Sequence, residues 1–155
     1  MSAVLSEACL PPVLKAARAA GRAAGLPYAG SLPPQAAWAL VQDGAATLVD
    51  VRSAEECRFV GQVPGADRVP WATGLKLERN TRFVEQLEAT IDKDAVVLLL
   101  CRSGKRSALA AEAATDAGFA HAFSILEGFE GELNASGQRG ADDGWRFRGL
   151  PWTQD

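Results

Sequence analysis

The chain has 155 residues, of which 48% are hydrophobic and 23% are charged, and its formal net charge is -3. This length and composition fit one globular domain with a sizeable core, and they argue against a strongly basic nucleic-acid-binding protein. The sequence contains no run of about eighteen apolar residues, so we expect no membrane-spanning helix and no membrane partner.

The first half of the chain contains patterns for helices and strands, separated by turns. Apolar spacing and terminating glycines indicate helices, β-branched runs indicate strands, and Ser53 with Glu56 matches a capping box. The predicted elements are a helix over 12–24, a second helix ending at Gly44, a strand over 46–51, a third helix starting at Ser53, and a short strand within 61–71.

The second half alternates helices and strands more regularly. Residues 81–90 have helical spacing, and AVVLLL (95–100) is typical of a strand buried on both faces. A helix over 105–117 and a strand over 121–126 follow. This alternation predicts an α/β fold with a parallel sheet. The Gly-rich tail (128–155) predicts a loop followed by a short helix that packs its aromatic residues on the domain.

The three cysteines, Cys9, Cys57 and Cys101, are too few and too irregularly spaced for a disulfide framework. A single histidine, His121, argues against a zinc site. We therefore expect a cytoplasmic protein without a metal or a cofactor. The Arg/Ala-rich segment 15–25 also resembles an organelle transit peptide, although an ordinary surface helix is the simpler interpretation.

The segment LLLCRSGKRSALAAEAA (98–114) carries the candidate chemistry. Cys101 follows a buried strand, at the edge where open α/β sheets bind ligands. Gly104 allows a sharp turn into the next helix, and the N–H groups of such a turn bind anions. A helix N-terminus and nearby cations favour the thiolate, which is the reactive form of cysteine. The sequence therefore predicts a nucleophile at Cys101.

The residues after Cys101 are predicted to bind its substrate. Three side chains supply positive charge for an anion, two hydroxyl groups can orient it, and the backbone N–H groups of the turn can bind it. The candidate binding residues are Arg102, Ser103, Gly104, Lys105, Arg106 and Ser107. Cys9 and Cys57 lack such surroundings and are interpreted as inert.

The strand, the loop CRSGKRS and the helix together resemble the active-site unit of single-domain rhodaneses, which are sulfurtransferases. LVDVRSAEE with GQVPGADRVPW, then AGFAHAFSILEGFEG, then GWRFRGLPW resemble further segments of that family in the same order. The resemblance implies a central parallel sheet of about five strands with helices on both faces. It divides the chain into an N-terminal helical extension (1–30) and a rhodanese-like domain (31–155).

The resemblance also implies a double-displacement mechanism. The Cys101 thiolate takes sulfur from a small anionic donor such as thiosulfate, and the resulting persulfide passes it to a thiol or protein acceptor. Asp50 and Arg52 match the Asp-x-Arg pair of the family. They are expected to support the site, either directly or as a structural ion pair.

Two other functions remain open at the level of sequence. A sulfur-relay module would use the same persulfide and differ only in its protein partner. A Cys-based phosphatase or arsenate reductase would use the pattern Cys-x5-Arg, whereas Arg106 follows Cys101 in the pattern Cys-x4-Arg. The shorter loop suits a single sulfur atom better than a phosphoryl group, which favours sulfur transfer.

Overall fold

A computed structural model describes residues 7–154 of the chain. A 3-10 turn (Glu7–Cys9) precedes helix α1, and two-residue strands occur in the middle of the chain. In chain order the elements are α1 (Pro12–Ala23), β1 (Gly30–Leu32), α2 (Pro34–Gln42), β2 (Thr47–Asp50), α3 (Ala54–Val60), β3 (Asp67–Arg68), β4 (Ala72–Thr73), β5 (Glu78–Arg79), α4 (Phe83–Thr90), β6 (Val96–Leu100), α5 (Lys105–Asp116) and β7 (His121–Ile125).

Five of the strands form one parallel sheet in the order β1–β7–β6–β2–β3. Strand β6 occupies the centre because its side chains are apolar on both faces. Its even-numbered residues pack with α1 and α2, and its odd-numbered residues pack with α4 and α5. The predicted α/β fold, with a five-stranded parallel sheet and helices on both faces, is therefore confirmed.

Helix α1 packs beside the edge strand β1. Leu14 is completely buried in the core that contains Leu32 of β1 and Phe123 of β7. A Cβ atom on Gly30 would lie 2.4 Å from the carbonyl oxygen of Ala17, so only glycine permits this close approach. Residues 1–6 of the expected N-terminal extension lie outside the described part of the chain.

None of the helices between residues 7 and 154 combines the length and the hydropathy needed to cross a membrane.

Two features of the fold differ from the sequence prediction. The sequence predicts no strand before α2, but Gly30–Leu32 pairs with Phe123–Ile125 as the edge strand β1. The short helix predicted in the tail is wrong, because residues 145–149 form consecutive turns with Gly144 and Gly149 at φ 109° and 74°. Of the tail aromatics, Trp145 is completely buried, whereas Phe147 and Trp152 are 46% and 39% exposed.

The Gly-rich segment 131–144 is a closed loop whose two ends touch. A Cβ atom on Gly144 would lie 2.7 Å from the backbone nitrogen of Gly131. The Asp143 carboxylate accepts a hydrogen bond from the N–H of Glu132 at 2.9 Å. The loop therefore leaves and rejoins the domain at one point, as surface Ω-loops do.

Candidate active site

Cys101 directly follows the central strand β6, at the carboxyl edge of the sheet. Three residues separate it from helix α5, and Gly104 makes the turn with φ 106°. The same turn brings the Gly104 N–H to the Cys101 Sγ atom, at 3.1 Å from the nitrogen. The strand, loop and helix therefore place a buried sulfur at the N-terminus of α5, where backbone N–H groups lack partners within the helix.

A second polar group reaches the sulfur from the side of the core. The Ser107 hydroxyl lies 3.4 Å from Cys101 Sγ and 2.8 Å from the hydroxyl of Ser124, and it also donates to the Gly104 carbonyl at 3.2 Å. The sulfur therefore lies between two hydrogen-bonding groups, the Gly104 N–H and the Ser107 hydroxyl, at the N-terminus of α5.

The segment after β7 holds the cysteine loop from below. The carbonyl of Cys101 accepts from the N–H of Phe129 at 2.7 Å, and that of Arg102 accepts from Glu130 and Gly131 at 3.0 and 3.1 Å. The C=O and N–H groups of a trans peptide point in opposite directions, so the following N–H groups point away from this segment. This backbone pairing fixes the orientation of the loop.

A pocket of ≈ 300 Å³ opens above Cys101. One wall is the cysteine loop, and the other is the antiparallel hairpin formed by β4 and β5. The lining residues are Trp71, Ala72, Leu77, Arg79, Cys101, Arg102, Ser103, Lys105 and Arg106. No carboxylate lines the pocket within the described residues, so its charged lining is entirely cationic.

The structure separates the predicted binding residues into two groups. Arg102, Ser103, Lys105 and Arg106 line the pocket with Cys101. Gly104 contributes its N–H to the sulfur, and Ser107 is completely buried, so its hydroxyl contacts the sulfur rather than the pocket. The sequence analysis did not identify the hairpin residues that complete the pocket, because two-residue strands have no recognisable periodicity.

The charge of Arg106 is balanced within the protein. Its guanidinium donates to both carboxylate oxygens of Glu56, at 2.7 and 2.8 Å, and both side chains are mostly buried. Burial alone would lower the pKa of Arg106, but the hydrogen bonds and charge of Glu56 and the nearby Cys101 sulfur raise it. Burial opposes ionisation of Glu56 as well, yet Arg106 and Ser53 bring the pKa of Glu56 below its ordinary value of 4.5.

We expect Glu56→Gln to lower the free energy of unfolding at pH 7 by about 2–3 kcal/mol, because it leaves a mostly buried guanidinium without its partner. A carboxylate with a lowered folded-state pKa stabilises the fold above its unfolded pKa, and that stabilisation is lost as the pH falls through the folded value. The difference between wild type and Glu56→Gln should therefore shrink below about pH 4.5.

Urea unfolding of both proteins between pH 3 and 7 measures this difference. Glu85→Gln is the matched control, because Glu85 and its partner Arg82 are 69% and 68% exposed. The control should cost less than about 1 kcal/mol at pH 7. A Glu56→Gln difference that is independent of pH would contradict the stabilising role of this ion pair.

Asp50 and Arg52 form a buried ion pair outside the pocket. The Arg52 Nη2 atom lies 2.7 Å from Asp50 Oδ2 and 2.9 Å from the carbonyl oxygen of Gly61. The guanidinium carbon also lies 4.1 Å from the centre of the Phe129 ring. The pair therefore contacts the residue whose N–H donates to the Cys101 carbonyl.

Cys57 has different surroundings from Cys101. Its Sγ atom is buried 3.6 Å from Asp50 Oδ2. Burial and the negative charge of Asp50 raise the pKa of the Cys57 thiol above its ordinary value. The structure therefore keeps this cysteine protonated and enclosed, in agreement with the interpretation that it is inert.

Comparisons with known proteins agree with this geometry. A family model described as a rhodanese-like domain matches residues 33–133. The crystal structure of Rv0390 from M. tuberculosis is 45% identical, with a TM-score of 0.75 over 83% of this chain and 99% of that chain. The uncharacterized protein RP600 of Rickettsia prowazekii is 35% identical over 115 residues, which are 73% of this chain and 87% of that protein.

A more distant structure carries a functional description. The polysulfide-sulfur transferase homodimer of Wolinella succinogenes is 25% identical, with a TM-score of 0.54 over 92% of this chain and 85% of that chain.

Proposed function

Because the chain belongs to the rhodanese-like domain family, a sulfurtransferase-type family, we propose that it is a thiosulfate sulfurtransferase that carries sulfur on Cys101. The observation that supports this most directly is the position of the Cys101 sulfur. It lies at the base of a ≈ 300 Å³ pocket whose charged lining residues are all cations. Such a pocket concentrates small anions at the one atom suited to attack them.

The first half-reaction transfers the outer sulfur of thiosulfate to the enzyme. The Cys101 thiolate attacks that sulfur, and a new S–S bond forms as the bond to the sulfite group breaks. The bonding electron pair leaves with sulfite, so the products are a Cys101 persulfide anion and the sulfite dianion. No proton is transferred, and a general base is therefore unnecessary.

The second half-reaction returns the enzyme to its starting state. A thiolate or cyanide attacks the outer sulfur of the persulfide and leaves with it, and Cys101 departs as a thiolate. In the structure the Gly104 N–H donates a hydrogen bond to the Cys101 sulfur. The same hydrogen bond would stabilise the departing Cys101 thiolate. The proposed acceptor in the cell is a thiol or a protein partner. The proposed location is the cytoplasm, because three sparse and irregularly spaced cysteines are typical of a reducing compartment.

Phosphoryl transfer fits the geometry less well. The arginine of a Cys-based phosphatase must bind phosphate oxygens through both ends of its guanidinium. In this chain the arginine nearest to that position is Arg106, in the pattern Cys-x4-Arg, and its two terminal nitrogens already bind Glu56. The Arg106 guanidinium is therefore not available to bind two phosphate oxygens, whereas transfer of a single sulfur atom does not require that contact.

Rates with different donors test the proposal. With cyanide as acceptor, we expect kcat/KM for thiosulfate to exceed that for 3-mercaptopyruvate by about tenfold, because the cationic pocket favours the dianion. Hydrolysis of p-nitrophenyl phosphate should stay at background. Phosphatase activity without sulfur transfer, or a clear preference for 3-mercaptopyruvate, would contradict the proposed function.

A further inference from the structure

The hairpin wall of the pocket holds an arginine in a fixed position. The guanidinium carbon of Arg79 lies 3.4 Å from the centre of the Trp71 ring, and one terminal nitrogen donates to the carbonyl of Asn80. Because the stacking and the hydrogen bond together restrain an otherwise exposed side chain, Arg79 presents its charge to the pocket at a defined place.

The hairpin itself is tied to the rest of the fold. The N–H of Trp71 donates to the Val51 carbonyl at 2.9 Å, and the Trp71 carbonyl accepts from Asn80 at 2.8 Å. The Trp71 ring packs edge-on against Phe83 of α4, with 5.2 Å between ring centres. The platform under Arg79 is therefore part of the folded core.

The cationic side chains that line the pocket differ in whether a carboxylate of the protein neutralises them. Arg106 is neutralised by Glu56, but Arg79, Arg102 and Lys105 form no ion pair with any residue between 7 and 154. The Nε atom of Arg102 is buried and has no hydrogen-bond partner in that part of the chain. Unbalanced positive charge thus reaches the pocket from both walls, with the hairpin supplying Arg79 and the cysteine loop supplying Arg102 and Lys105.

We propose that Arg79 is a specificity-determining residue that binds the charged SO3 group of the sulfur donor while Cys101 attacks the donor's outer sulfur. The inference rests on the proposed function and deepens it, because it assigns binding of the donor to a residue outside the cysteine loop. As the S–S bond breaks, the bonding electron pair moves onto the SO3 group, and this group leaves as sulfite. A cation opposite the cysteine loop stabilises that negative charge. It therefore favours dianionic donors over less charged donors.

The test compares Arg79→Gln with Lys76→Gln. Lys76 lies on the same hairpin, is exposed and does not line the pocket, so its substitution changes the same net charge. We expect Arg79→Gln to lower the single-turnover rate constant for persulfide formation from thiosulfate about fivefold, as for loss of one exposed ion pair. The rate from 3-mercaptopyruvate should change less than about twofold, and Lys76→Gln should leave both rates within about twofold of wild type.

A binding measurement separates this inference from the proposed function. In a Cys101→Ser background, which removes the attacking sulfur, calorimetric titration with thiosulfate should show weaker binding after Arg79→Gln and unchanged binding after Lys76→Gln. If wild type forms no persulfide but this dependence on Arg79 is observed, the proposed function fails and the anion site stands. If persulfide forms and Arg79→Gln behaves like Lys76→Gln in both assays, the role of Arg79 is overturned.

Discussion

Cys101→Ser should reduce sulfur transfer from thiosulfate to cyanide by a factor on the order of 10³ or more, because the hydroxyl can neither ionise at neutral pH nor carry sulfane sulfur. The substitution replaces the sulfur with an oxygen, which can also hydrogen bond to the Gly104 N–H and the Ser107 hydroxyl. The fold should therefore be retained. Circular dichroism and urea unfolding of the variant provide the check on folding.

Cys57→Ser is the control for this substitution. Cys57 is also buried, but it lies beside Asp50 and outside the pocket. We expect its variant to keep at least about half of the wild-type kcat/KM, once its folded fraction is taken into account. A Cys101→Ser protein with more than about a tenth of wild-type activity would rule out Cys101 as the nucleophile.

Gly128→Ala should damage both the fold and the activity, because no space exists for a side chain at this position. A Cβ atom on Gly128 would lie 2.3 Å from the carbonyl carbon of Arg102 and 2.5 Å from the backbone nitrogen of Ser103. These are backbone atoms of the cysteine loop, so the loop must move. We expect a loss of about 3 kcal/mol in unfolding free energy and at least about a tenfold loss of kcat/KM.

Gly137→Ala isolates the effect of contact from that of backbone conformation. Gly137 has φ 73° and Gly128 has φ 71°, but a Cβ atom on Gly137 would meet nothing within 4 Å. Its variant should lose about 1 kcal/mol from backbone strain and keep its activity. Equal effects of the two substitutions on kcat/KM would mean that the contact between residues 128 and 102 does not position the loop.

The centre of the fold could be predicted from local sequence because its signals are strong. The run AVVLLL is apolar on both faces, and such a strand is stable only between two helical layers. Gly104 and the alanine-rich segment after it define a turn and a helix independently of the rest of the chain. Cys101 lies where these two signals meet, so its position at the edge of the sheet follows from them.

The opposite wall of the pocket depends on contacts that no local pattern records. Strands β4 and β5 have two residues each, and they form because Trp71 packs on Phe83 and pairs with Asn80. Similarly, the partner of Arg106 is Glu56, which is 50 positions earlier in the chain. Sequence reasoning identified Arg106 as a cation of the loop but could not show that its charge is balanced.

The missed strand β1 and the wrongly predicted helix in the tail have a common origin. Strand β1 is three residues long and forms because Gly30 permits close contact with α1 while its backbone pairs with β7. In the tail, Gly144 and Gly149 have positive φ values and bound the segment 145–148, which forms turns and not a short helix. In both places tertiary packing decides the local conformation, and intrinsic propensity does not.

The intact mass of the protein after incubation with thiosulfate tests the central claim most directly. Wild type should gain about 32 Da, the mass of one sulfur atom, and cyanide should remove that gain and release thiocyanate. The Cys57→Ser protein should show the same gain, and the Cys101→Ser protein should show none. An unchanged wild-type mass, or a gain that persists in Cys101→Ser, would contradict a persulfide on Cys101.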